Sequence, residues 1–250
     1  MLLFKRLAFA TLGILGLHSL AVADGFQYDF DHAFSGTPPT SLSAPWTQAR
    51  FQDVAPGTVQ LTVSNLTLTG SENVDELYFN LAPNLNPQNL NFTYVTGSGG
   101  FDLPSFTEGT NAFKADGDGK YDILLSFNHS GTDQHQFTTG EYFTYNISGI
   151  SGLTAADFGY LSAPAGGAGP FYAAAHVQRI GPNSFSGWIS ADMVTPITPI
   201  PEPAPAALIA LAISLWLGLR LSKRAAKRIT SANQLRPIPI SSCSLHRVRG

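Results

Sequence analysis

Apolar and polar residues alternate in steps of two along most of the chain's interior. Val59, Leu61 and Val63 alternate with Gln60 and Thr62. Past Asn65 the phase slips by one, and Leu66 and Leu68 resume the apolar positions, which predicts a bulge or a turn. Tyr121, Ile123, Leu125 and Phe127 form a second apolar face, and Phe143, Tyr145 and Ile147 a third. Successive side chains of a strand point to opposite faces, so each run reads as a half-buried strand. Stretches 26–30, 46–53, 76–81, 90–96, 172–180 and 186–191 read as further strands. Turn residues cluster between them, at Ala82-Pro83-Asn84 and over 97–100, 116–119 and 163–170. Short strands with regular turns predict an all-β fold, an antiparallel β-sandwich or jelly-roll-like ectodomain. One helical turn is expected over 154–158, capped by Thr154.

The pattern breaks at both ends. Residues 1–23 carry Lys5 and Arg6, then an apolar run from Leu7 to Leu20, and finish Ala21-Val22-Ala23. A positive start, a short apolar stretch and a small-x-small site predict a signal peptide for the Sec translocon, with cleavage set by Ala21 and Ala23. Ala204 to Leu221 is apolar but for Pro205, Ser214, Gly218 and Arg220. As a helix it would be roughly 27 Å long, close to the thickness of a bilayer's hydrocarbon core. Lys223, Arg224, Lys227 and Arg228 follow it. Such a cluster stays on the cytoplasmic side, which predicts one C-terminal transmembrane helix with the body outside. The domain boundaries expected are 1–23, 24–195, 196–228 and 229–250, the last a disordered tail without hydrophobic periodicity.

Charge and cysteine usage sharpen the body's class. Between Asp24 and Ile200 there are four basic residues (Arg50, Lys114, Lys120 and Arg179) against sixteen acidic ones, a formal charge of −12. A lysine-poor, acidic surface argues against nucleic-acid binding, which needs cations to displace counterions. The one cysteine, Cys243, lies in the tail, so the body has no disulfide and depends on burial for stability.

Candidate chemistry is sparse. Asp116, Asp118 and Asp122 stand at spacings of two and four among glycines, a pattern that can converge on Ca²⁺. The same residues read more readily as a hairpin turn in which Asp and Gly supply positive φ. His129, His135 and His176 with Asp133 lack any zinc-binding spacing. Glu72, Asp75, Glu76 and Glu141 are the carboxylates from which a glycan hydrolase would draw its pair, and no spacing selects two of them. Trp46, Trp188, Tyr160 and Tyr172 are candidates for stacking on sugars or for the sandwich core.

Pro201, Glu202 and Pro203 stand directly before the apolar span and its basic cluster. This layout resembles the PEP-CTERM sorting signal of Gram-negative bacteria. The middle of the chain, with Asp116 to Asp122, Leu124 to Asn128, Leu153 to Phe158, Ala173-Ala174-Ala175-His176-Val177-Gln178 and Gly187-Trp188-Ile189, is similar to one recurrent PEP-CTERM ectodomain. The resemblance implies an exosortase acting at Pro201-Glu202-Pro203. It also implies an inner-membrane intermediate with a periplasmic body, then a cell-surface or matrix location beside exopolysaccharide. The family departs from this chain at its end, since 22 residues follow Arg228 here. The expectation is a non-enzymatic exported protein without a cofactor, unless calcium binds. A carbohydrate-binding or adhesive module and an extracellular glycan hydrolase are the alternatives.

Overall fold

The computed structural model describes residues 24–128, 135–197 and Trp216. The alternation in 59–63 becomes β4 (Thr58–Asn65), in which Val59, Leu61, Val63 and Asn65 are buried and the residues between them half-buried. The phase slip marks a turn, not a bulge. β4 ends at Asn65, and the Leu66 N–H donates to the Trp46 carbonyl at 2.8 Å. Around it, β1 (Gly25–Phe30), β3 (Thr47–Ala55), β6 (Asn91–Ser98), β10 (Tyr142–Ser148) and β13 (Thr195–Pro196) form one sheet in the order β13-β1-β3-β4-β10-β6. A second sheet runs β2-β12-β11-β5-β8-β7. Its strands are β2 (His32–Gly36), β5 (Asn73–Phe79), β7 (Ser105–Ala115), β8 (Asp118–Ser126), β11 (Ala173–Ile180) and β12 (Phe185–Ala191). The two-residue β9 (Phe137–Thr138) also pairs with β5. Every pairing is antiparallel.

The inner faces of the two sheets share one core. At one end Phe51 stacks on Phe158 at 4.8 Å and meets Phe79 edge-on at 5.3 Å. Tyr28 lies among them, fully buried, and its hydroxyl donates to the Phe158 carbonyl at 2.6 Å. At the other end Phe127, Phe137 and Phe143 pack with centroids 5.0 to 5.7 Å apart. Aromatic rings bury large areas, so they hold the sheets together without a disulfide. Thr154 caps the short 3-10 turn Ala155–Phe158, with its N–H and hydroxyl both donating to Asp157 Oδ2 at 2.8 and 2.9 Å.

Strands β2, β7, β9 and β13 were not foreseen. β7 is an edge strand whose register with β8 jumps from Glu108 to Phe113, so it shows no clean alternation. The body's last pairings run through Pro196 and Ile197, beyond Thr195. The segments expected to be a signal peptide and a transmembrane helix lie, Trp216 apart, outside the described residues. Among the described residues, no helix is long and apolar enough to cross a membrane.

Candidate functional site

Two β-bulges shape the outer face of the second sheet. Across the β11–β5 pair, His176 faces Glu76 and Val177 faces Val74, so Asp75 is an extra residue in β5. Across β12–β2, Trp188 faces Ser35 and Ile189 faces Ala33, so Phe34 is an extra residue in β2. A bulge re-aims the side chains beside it. Here the two bulges flank the β11–β12 pair, in which His176 faces Trp188.

His176 Nδ1 lies 2.8 Å from Asp75 Oδ1 in an ion pair, with side-chain exposures of 16% and 7%. Gln178 Nε2 donates to the other carboxylate oxygen. The imidazole stacks on Trp188 with centroids 4.4 Å apart and planes at 25°. Trp188 in turn packs against Tyr78 at 5.8 Å and Phe34 at 6.4 Å, and Phe34 against Phe171 at 4.7 Å. Tyr78 Oη donates to Glu76 Oε2 at 2.6 Å. At the patch's rim, His32 Nδ1 lies 2.8 Å from Asp192 Oδ2, which Ser190 also supports through a 2.8 Å bond to Oδ1.

The electrostatics follow from this packing. Burial of the His176 ring lowers its proton affinity, but the hydrogen bond and charge of Asp75, with Glu76 and Asp116 behind them, outweigh it and move the pKa up. Burial, then the bond to Glu76, pushes the Tyr78 phenol well above its ordinary value. The cluster is therefore an imidazole of fixed orientation, favoured in its charged form, resting on an aromatic face.

The aspartates nominated for calcium serve different ends. Asp116 and Gly117 have φ of 49° and 81° and close the two-residue turn between β7 and β8, where Ala115 faces Asp118. Positive φ at both central residues is what the right-handed twist of a hairpin requires. Asp116 Oδ2 accepts from Ser35 Oγ, tying this turn to β2. Asp118 is buried beneath Gly167. Asp122 accepts two backbone N–H groups, from Leu81 at 2.9 Å and Asn111 at 2.7 Å. Among the described residues, no three metal-ligating side chains gather into one group.

Other nominated residues are dispersed. Glu72 is buried and accepts from the backbone N–H groups of Thr40 and Thr69, each at 2.8 Å. Glu141 accepts from Thr138 N at 2.7 Å and Gly100 N at 3.2 Å. Trp46 is in the core, while Tyr160 is exposed and Tyr172 stacks on Tyr28. His135 sits 3.2 Å from Asp102, away from His176's partners. His129, Asp133, Ala21, Ala23, Pro201, Glu202, Pro203, Lys223, Arg224, Lys227 and Arg228 lie outside the described residues. Sequence reasoning named Asp75, Glu76, His176 and Trp188 separately and missed the set they form.

No family model matches the chain, and neither curated proteins nor solved structures include a match to it.

Proposed function

We propose that this chain is an exported, non-enzymatic surface or extracellular-matrix protein. A signal peptide of the Sec type is removed at Ala21-Val22-Ala23. A C-terminal PEP-CTERM segment then holds the body at the inner membrane until an exosortase acts at Pro201-Glu202-Pro203. The observation that carries this reading is where the fold starts and stops. The Asp24 carbonyl accepts from Asp53 N at 2.8 Å, and Ile197 N donates to the Gly25 carbonyl at 3.0 Å. The described sandwich thus fills the interval between the two candidate processing sites. A non-enzymatic role is supported by the backbone engagements of Glu72 and Glu141, which occupy carboxylates a hydrolase would need free.

Replacing Pro201, Glu202 and Pro203 with alanine tests the reading in a host with a matching exosortase. Full-length chain should accumulate in the inner membrane, while the parent is released with Asp24 at its N-terminus. Equal release of both would refute sorting by this motif.

A carbohydrate-binding body is the second reading. It is favoured by the outer face of the first sheet, where register aligns Gln27, Arg50, Thr62, Thr144 and Thr96 in one row. Amides and hydroxyls both donate and accept, as sugar hydroxyls do. Exposed Tyr142 stands between Ser64 and Ser98 on the same face. Pull-down on neutral and acidic polysaccharides, lost in Tyr142→Ala, tests it.

A further inference from the structure

A sheet edge offers unpaired N–H and C=O groups to any strand that fits, and proteins blunt their edges with charge, proline or shortness. Among the described residues, three of the four sheet edges are blunted. β13 is two residues long and ends in Pro196. β2 has five residues and carries the exposed His32 beside Asp192. β7 carries Glu108 and Lys114 and is broken by its register jump. β6 is different. Its eight residues, Asn-Phe-Thr-Tyr-Val-Thr-Gly-Ser, include no charge and no proline, in a body whose formal charge is −12. Tyr94 and Val95 on it are 46% and 45% exposed.

The register of β6 carries the argument further. Tyr94 faces Tyr145 and Thr96 faces Thr144, so Val95 is an extra residue. Phe92, Tyr94 and Gly97 share the face of Ile147, Tyr145 and Phe143, which are buried. Asn91, Thr93, Thr96 and Ser98 share the other face. In an unbulged strand Thr93 and Thr96 would point to opposite faces, being three apart. The bulge at Val95 brings them to the same one.

We propose that β6 is a self-association edge, on which the β6 of a second copy of this chain pairs antiparallel about a two-fold axis. Placing Thr93 opposite Thr96 of the second copy sets Asn91 opposite Ser98, Phe92 opposite Gly97 and Tyr94 opposite Val95. Three of these contacts are pair types that stabilise sheets: hydroxyl with hydroxyl, aromatic with β-branched, and an aromatic ring covering a glycine; the fourth sets an amide against a hydroxyl. The two-fold repeats every contact, and an uncharged strand lets two acidic bodies meet without like charges at the seam. The first sheets of both copies then run on as one.

The test uses the full chain with Cys243→Ser. Sedimentation equilibrium should show a concentration-dependent dimer. Val95→Lys should abolish it with an unchanged far-UV circular dichroism spectrum, while Leu42→Lys, at a fully exposed loop position, should leave it intact. Independently, chains carrying Thr93→Cys mixed with chains carrying Thr96→Cys should form an oxidised cross-link, and neither variant alone should do so through this pairing. A monomeric parent overturns the proposal. So does a dimer that survives Val95→Lys, and so does the absence of a cross-link in the mixture.

Discussion

Asp75 is the residue of β5 that the register with β11 skips, and its Oδ1 lies 2.8 Å from His176 Nδ1. The bulge and the ion pair are one feature, since the extra residue supplies the carboxylate. Removing one partner of a largely buried pair leaves a charge without compensation, at a cost of about 3 kcal/mol. Asp75→Asn should therefore lower unfolding stability by about that amount near pH 6, measured by urea titration. Changing Asp75 and His176 together should cost less than the two single changes summed. Strict additivity would show the two side chains to be uncoupled.

The pH dependence has a definite sign. The folded-state pKa of His176 is raised, so its contribution is fully present below the unfolded value of about 6.5 and is lost as pH rises through the folded value. The difference in melting temperature between the parent and His176→Gln should shrink as pH climbs from about 5 to about 9. Protonated imidazole against an indole also quenches its emission, so Trp188 fluorescence should rise over the same interval. A gap that widens with pH would contradict the assigned direction.

Asp122 and Asp116 sit in one hairpin and should respond differently to substitution. Asp122→Ala strands two backbone N–H groups and should cost on the order of 2–3 kcal/mol. Asp116→Asn keeps a residue tolerant of positive φ at the turn and should stay within about 0.5 kcal/mol. Because both Asp122 oxygens are engaged, millimolar calcium should leave the melting temperature unchanged. A clear rise would restore the metal reading of this loop.

Gly166 and Gly167 offer a paired comparison. Both have positive φ, at 99° and 69°, so alanine costs about 1 kcal/mol at either. A Cβ on Gly166 meets nothing within 4 Å, whereas one on Gly167 would stand 1.2 Å from Asp118 Oδ1. Gly167→Ala should be the more destabilising in thermal melts. Equal effects would mean that the loop does not pack on Asp118.

The sheets were legible where one face is buried and the other wet, as in β4 and β10, because alternation then records the environment directly. The Asp116-Gly117 turn was legible too, since positive φ selects those residues. β7 was not, because an irregular edge strand has no single face to encode. Nor were the bulges at Phe34 and Asp75, which exist only relative to a partner strand. The Asp75–His176 contact joins residues a hundred positions apart, and no local rule of spacing reaches that far. Glu72 looked like a free acid and is a strut, holding Thr40 and Thr69 together.

The short pairing of β13 with β1 has a mechanical consequence. The pairs Gln27–Thr195 and Phe26–Pro196 stand between the core and any tension on the chain beyond Ile197. β13 runs antiparallel to β1, so such a pull opens its pairings one after another from the Ile197 end, as a zip does. Two pairs are few, so they would open before the longer strand pairings and lengthen the free chain by a few residues. The aromatic core, reached only afterwards, is spared the first part of any tug on the body. β13 is thus the first element of the described sandwich that such a pull would release.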